Sequence, residues 1–432
     1  MKSRFDVVAR AALAAGLAFL SPSAWPADPP PIGLSLAAAQ RLALERSRMV
    51  AAQDAAISAS REMAVAARQL PDPVLKFGVD NLPSDGADRF NFTRDFMTMR
   101  RIGVMQEFTA SDKRELRGLR AEREAGKAAA EKDAAIASVQ RDTALAWLDR
   151  HYAERMRALM ADQAAEADLE ILAADGAYRA GRGGSADVIA ARAAKASMLD
   201  RVAEFDRRVS VARVALSRWV GEAGDAALQG TPELARVRVD EATLAADLAH
   251  HPLIVQLDEQ VAIADSEARL ARANRTPDWS VEIGYAQRGP AYPNMLSVGV
   301  SVPLQWDRAR RQDRELAARL AQTEQARALR DDALRAHVAE VRAMLIEWKS
   351  GLARRETYVR ELTPLARERT ATALAAYRAG KGELAAVLAA RRNEIEVATQ
   401  ALALEMDTAK LWAQLNTLAP EGSEAHETRT PR

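Results

Sequence analysis

The chain has 432 residues, and its 61 Lys and Arg nearly cancel its 60 Asp and Glu, which leaves no basic field for nucleic acid. Cysteine is absent, which excludes disulfides, thiolate metal sites, a cysteine nucleophile and lipidation through an N-terminal Cys. Aromatics make up only 5%, and the abundance of Ala, Leu, Arg and Glu is the composition of long helices in lateral contact.

Lys2 and Arg4 precede an apolar run, Ala11 to Leu20, and small residues through Ala24 lead into the proline-rich stretch Trp25 to Pro31. The pattern predicts a cleaved secretory signal over residues 1–27. The run is too short to cross a hydrocarbon core of ~30 Å. No later segment is apolar enough for a transmembrane helix, so membrane insertion of this exported chain would have to use strands.

After the signal the chain reads twice in the same order. A helix over roughly Ser35 to Gln69 ends at Pro71-Asp72, and two short strands follow. A helical pattern then runs from roughly Asp112 to Ala174, with Leu145, Leu148, Tyr152, Met156 and Leu159 on one stripe. It stops at Tyr178-Arg179-Ala180-Gly181, and a return helix covers Ala186 to Val220. Residues 28–220 form this first repeat, and 221–239 link it to the second, 240–417. There a helix over Asp240 to Asn274 meets Pro277-Asp278, two strands follow, and a helix runs from Asp307 to Ala376. It ends at Tyr377-Arg378-Ala379-Gly380, and Ala385 to Leu415 return. Trp147 and Trp348 occupy matching places. Ordered matches at several points indicate duplication. Residues 418–432 are expected to be a disordered polar tail.

The strands alternate with a period of two. Leu75, Phe77 and Val79 lie on one side, as do Ile102 and Val104, then Val281, Ile283 and Tyr285, then Val298 and Val300. Residues between them are polar or tiny. This is the pattern of a membrane barrel with lipid outside and water inside, or of a small soluble sheet lying on a helical core. Its setting, isolated hairpins between very long helices of an exported chain, favours the barrel. Four strands cannot close one, because membrane barrels need about eight or more. An open edge in hydrocarbon leaves backbone groups unsatisfied. Several chains must then pool strands, and three would supply about twelve.

With these residues in view the sequence resembles the TolC-type outer-membrane factors, the outer membrane efflux protein family, and within it the heavy-metal branch similar to CusC and CzcC. The duplicated Pro-Asp and Tyr-Arg-Ala-Gly motifs and the stretch Thr93 to Phe108 carry the resemblance. The fold expected is mainly α with a small β part: long antiparallel helical hairpins forming a periplasmic tunnel, and two β-hairpins giving four strands to a trimeric twelve-stranded outer-membrane barrel. The resemblance implies a homotrimer that docks a periplasmic membrane-fusion adaptor and an inner-membrane RND pump. It also implies passive conduction of heavy-metal cations, copper and silver or zinc and cobalt. By the same resemblance Tyr178, Arg179, Gly181, Tyr377, Arg378 and Gly380 are adaptor-docking tips, and Asp187 is a periplasmic gate residue. Its second-half counterpart is Ala386, with Glu383 the nearest acid, so the gate departs from the family pattern.

Other chemistry finds little support. His151, His250, His251, His337 and His426 are scattered without metal-ligand spacing. No nucleophile elbow, phosphate loop or dinucleotide fingerprint occurs, so the chain is expected to have no enzymatic activity and no cofactor. Met97, Met99 and Met105 share the strand parity of Arg101 and Gly103, which aims them at the lumen, where thioethers would suit Cu(I). The alternative is that they fill space beneath the extracellular loop. A periplasmic adaptor or coiled-coil scaffold is the competing reading, and an extracytoplasmic receptor a third.

Overall fold

The computed structural model describes residues 33–418. The signal segment and residues 419–432 of the expected tail lie outside them. The chain is mostly helical and carries a four-stranded antiparallel sheet. Helices α1 (Leu36–Arg46) and α2 (Arg48–Ala67) lead to strands β1 (Val74–Asp80) and β2 (Met99–Phe108). Helix α3 (Ser111–Arg179) follows, then α4 (Ser185–Val220) and a 3-10 turn over Gly221–Asp225. The second half begins with α5 (Leu244–Ala249) and α6 (Pro252–Ala273), then β3 (Trp279–Gln287) and β4 (Met295–Ser301). Helix α7 (Gln312–Thr357) passes through a π turn, Tyr358–Leu362, into α8 (Thr363–Arg378), and α9 (Leu384–Asn416) returns.

Three interruptions differ from the sequence expectation, each with a local cause. The first helix breaks at Ser47, whose backbone is extended and whose Oγ accepts the Val50 N–H, so this serine caps a new helix. The second-half helix breaks at His251, which takes the same role ahead of Pro252, a residue suited to a first helical turn. The π turn lies just upstream of Pro364, which has no N–H to return to the preceding turn. Helix α3 has no proline and runs without a break for 69 residues, roughly 100 Å at 1.5 Å per residue.

The core sits at mid-height, where both repeats converge. Trp147, Leu148 and Tyr152 of α3 are fully buried against Leu216 of α4 and Ala409 of α9. A second cluster joins Leu244 and Leu248 of α5 to Val341, Leu345 and Trp348 of α7. The duplication extends to the bonds of the two buried tryptophans. The Trp147 indole N–H donates to the Leu34 carbonyl at 2.9 Å, and that of Trp348 to the Leu234 carbonyl at 3.0 Å. Each buried indole therefore anchors the segment leading into its own repeat, a bridged residue at Leu34 and a turn at Leu234.

Candidate functional site

The sheet order is β1-β2-β3-β4, so the two hairpins, one from each repeat, pair through β2 and β3. Register decides what each face carries. Leu75 pairs with Val104 and Phe77 with Ile102; Ile102 meets Tyr285 and Val104 meets Ile283; Ile283 then meets Val298 and Val281 meets Val300. All ten residues expected on the apolar side therefore share one face. Little in the chain covers it: Phe77 is 84% exposed and Leu296 73%. At the helical end of the sheet Phe108 stacks on Trp279, with ring centroids 4.6 Å apart.

The opposite face is polar and self-neutralising. Lys76 Nζ donates to Glu282 at 2.6 Å, and Arg101 lies 3.3 Å from Asp80 and 3.8 Å from the other Glu282 oxygen. Glycines 78, 103, 284 and 299 lie among these charges. Met99 and Met105 share this face, whereas Met97 precedes the strand, in a turn where Asp95 accepts its N–H. Met99 and Met105 are about 20 Å apart along β2 at ~3.3 Å per residue, too far to share an ion. The outer edges of β1 and β4 have no strand partner among the described residues.

At the far end of the helices the two Tyr-Arg-Ala-Gly turns have the same geometry. Gly181 has φ +69° and Gly380 +70°, the left-handed conformation that glycine adopts without strain. The Arg182 N–H reaches back to the Ala177 carbonyl at 2.9 Å, and the Lys381 N–H to Ala376 at 2.9 Å, the six-to-one bond of a helix C-cap. Arg179 pairs with Asp175 at 2.7 Å, and Arg378 is exposed.

The tyrosines differ: Tyr178 is 51% exposed, but Tyr377 only 8%, packed with Ala174, Val188, Leu374 and Val387. The Tyr377 hydroxyl is buried without a hydrogen-bond partner, and burial, then the Asp187 carboxylate, push its pKa up. Asp187 also accepts the Gly184 N–H at 3.2 Å, capping its own helix. Glu383 stands exposed at the N-cap of α9 without a capping bond. The first turn of α4, through Val188 next to Asp187, thus packs in one cluster with Tyr377 of the other repeat.

Two clusters escaped the sequence reading. His251 and His337 meet with ring centroids 4.4 Å apart, although 86 positions separate them in the chain. The buried Arg391 of α9 reaches two glutamates on α3, the buried Glu170 and the exposed Glu166. No spacing rule links residues so far apart. Among the described residues no group of three or more His, Cys, Asp or Glu is placed to hold a metal ion, and no helix is long and apolar enough to cross a membrane.

No protein-family model matches the chain, and no curated protein does. Solved structures do match. CusC, described as undergoing conformational changes accompanying folding and transmembrane channel formation, is 14% identical with a TM-score of 0.76, over 89% of this chain and 92% of that one. The outer-membrane channel OprN is 16% identical with a TM-score of 0.73, over 89% and 90%. The outer membrane protein VceC of Vibrio cholerae is 17% identical with a TM-score of 0.73, over 89% and 95%. The likeness is one of fold, and it extends over nearly the whole described chain.

Proposed function

We propose that this chain is the passive outer-membrane exit duct of a tripartite efflux system, assembled as a homotrimer. The observation that carries the reading is the sheet: one face apolar over its middle, with Arg100, Gln287 and Gln106 toward its two ends, one polar face, and two edges without a strand partner among the described residues. In lipid such edges are tolerable only if they pair, and β4 of one copy against β1 of the next would close a twelve-stranded wall. The apolar face then meets hydrocarbon, and the ion-paired face lines a watery lumen. The helices, continuous with the strands, form the periplasmic tunnel below. A signal segment over residues 1–27 would deliver the chain, and 28–220 and 240–417 are the two repeats.

The paired tips, with Tyr178, Arg179, Gly181, Tyr377, Arg378 and Gly380, are the proposed contact with a periplasmic adaptor and its inner-membrane RND pump. Asp187, in the first turn of α4, is the proposed gate residue, and Glu383 marks the weaker second-half position. Heavy-metal cations are the proposed cargo, supported by the sequence resemblance alone, since the fold is shared equally with channels such as OprN and VceC. Met99 and Met105 line the lumen singly, which suits transient contact, since a tightly held ion would not leave. No covalent chemistry is required of any residue.

Carbonate extraction tests the membrane assignment: the duct leaves the membrane only with detergent, whereas an adaptor or scaffold leaves with salt or carbonate. Susceptibility of a deletion strain to copper, silver, zinc, cobalt and several drugs tests the cargo. Unchanged tolerance to every metal refutes the heavy-metal reading.

A further inference from the structure

We propose that Glu170, sealed in the seam between α3 and α9, is a proton-binding site whose occupancy sets how firmly the two helical hairpins hold together. Arg391 of α9 is buried there. Its Nε donates to Glu170 Oε1 at 2.8 Å, and its Nη1 reaches Glu394 Oε2 at 3.0 Å and Gln163 Oε1 at 3.3 Å, with Glu166 also bound to it. One guanidinium therefore serves three carboxylates, of which Glu170 and Glu394 are themselves buried. Glu170 is 1% exposed, and its Oε2 has no hydrogen-bond partner.

A buried carboxylate with an unmet oxygen and too little positive charge is relieved by neutralisation. Burial pushes the Glu170 carboxyl up, Arg391 opposes the rise, and Glu166 and Glu394 add to it. Those are the charges that act on Glu170: Arg391 and Glu394 from α9 and Glu166 from its own helix. Helix α4 answers α3 through a separate ion pair, Lys195 with Asp168 at 2.6 Å, and α8 brings apolar Leu374 to the end of α3. The carboxylates are not placed to hold a metal ion, so a proton is the occupant that fits.

The duplication isolates this arrangement. Tyr178 and Tyr377 fix an offset of 199 residues, and at that offset Arg192 corresponds to Arg391, but Arg369 replaces Glu170 and Leu362 and Leu365 replace Gln163 and Glu166. Lys195 likewise stands where the second half has Glu394. The network is a property of one seam and not a by-product of the repeat. With the proton on, Arg391 satisfies Glu394 and Glu166, and Glu170 no longer repels Glu394 across the seam. With it off, two buried anions share one cation. Acid therefore tightens the contact between α3 and α9, and alkali loosens it.

The inference concerns an intrachain contact and stands apart from the transport reading. It is tested on the full mature chain in detergent by thermal unfolding of wild type and Glu170→Gln across a pH range spanning neutrality, with infrared pH-difference spectra. A carboxyl raised in the folded state means the native chain binds the proton more tightly than the unfolded one, so stability falls as pH rises through the folded value. Glu170→Gln, a neutral mimic, should unfold several degrees above wild type at the alkaline end and converge with it in acid. The wild-type spectrum should show a protonated-carboxyl band that Glu170→Gln lacks. Glu394→Gln, which removes the facing negative charge, should move that band's midpoint to lower pH. A pH-independent offset between wild type and Glu170→Gln, or no band sensitive to position 170, overturns the proposal. Should Glu170→Gln fail to fold, the Glu394→Gln shift alone decides.

Discussion

Arginine placed at Phe77 and, separately, at Gly78 puts one charge at adjacent positions of β1 but on opposite faces. Phe77 is the central residue of Val74–Asp80, with three residues on either side, or about 10 Å of strand at ~3.3 Å per residue. In the duct its ring would sit near the middle of the hydrocarbon, where arginine costs ~2–4 kcal/mol. Removing the phenyl from lipid adds about 1.5–3 kcal/mol, for a total of roughly 4–7 kcal/mol per protomer. At Gly78 a Cβ would meet nothing within 4 Å, and the position lies between Lys76 and Asp80 on the polar side. Gly78→Arg places a like charge directly opposite Arg101 and should therefore cost no more than about 1 kcal/mol, well short of the Phe77→Arg cost. Refolding into lipid vesicles, with urea titration followed by tryptophan fluorescence, measures both. A position 84% exposed in one chain loses nothing in water on becoming arginine. If Phe77→Arg is tolerated in vesicles, that face does not meet lipid and the duct reasoning fails.

Trp147→Phe and Trp348→Phe keep an aromatic ring but remove the smaller ring of the indole and its donor to the Leu34 or Leu234 carbonyl, Leu34 retaining the Gln229 N–H; each should cost about 1–3 kcal/mol, read as a lowered thermal midpoint. Gly181→Val and Gly380→Val force a branched side chain into a left-handed turn, at about 1–2 kcal/mol each. Export should fail while the trimer survives on semi-native gels, and persistent export would remove the tips from the docking surface. His251 is lowered to about 4 by burial and then by the facing His337. Its unfolded value is higher, near 6.5, so the unfolded state takes the proton first, and stability is lost as pH falls from about 6.5 through 4, by at most roughly 3 kcal/mol. His251→Asn, which keeps a capping oxygen but does not titrate, should flatten thermal stability over that window; an unchanged acid slope would assign the loss to other groups.

What could be read from the sequence was whatever is written locally or written twice. Alternation in Leu75, Phe77 and Val79 states a strand with two unlike faces, and a repeated Tyr-Arg-Ala-Gly states a turn that needs a left-handed glycine. The break at Ser47 was hidden because one serine in an alanine-rich run is compatible with a continuous helix as well as with a cap. The helical pattern from Asp307 to Ala376 runs straight through Pro364, and nothing local states that a π turn absorbs it without ending the helix. The least legible features join the repeats. Arg391 and Glu170 lie 221 positions apart, and each alone reads as one more charge on a solvated helix face. The contrast between Tyr178 and Tyr377 is of the same kind: identical local sequence, with burial decided by which helix lies alongside.

The uninterrupted length of α3 places a mechanical constraint on the molecule. Its 69 residues and the Gln312–Arg378 path end at two turns of identical shape, so the two struts must be cut to one measure. Shortening α3 alone by seven residues would withdraw its end by about 10 Å while turning it through almost two full revolutions. Only matched deletions in both repeats, by whole turns, would keep the two ends level. Natural variation in reach is therefore expected to come in such pairs, with any partner below tracking the change.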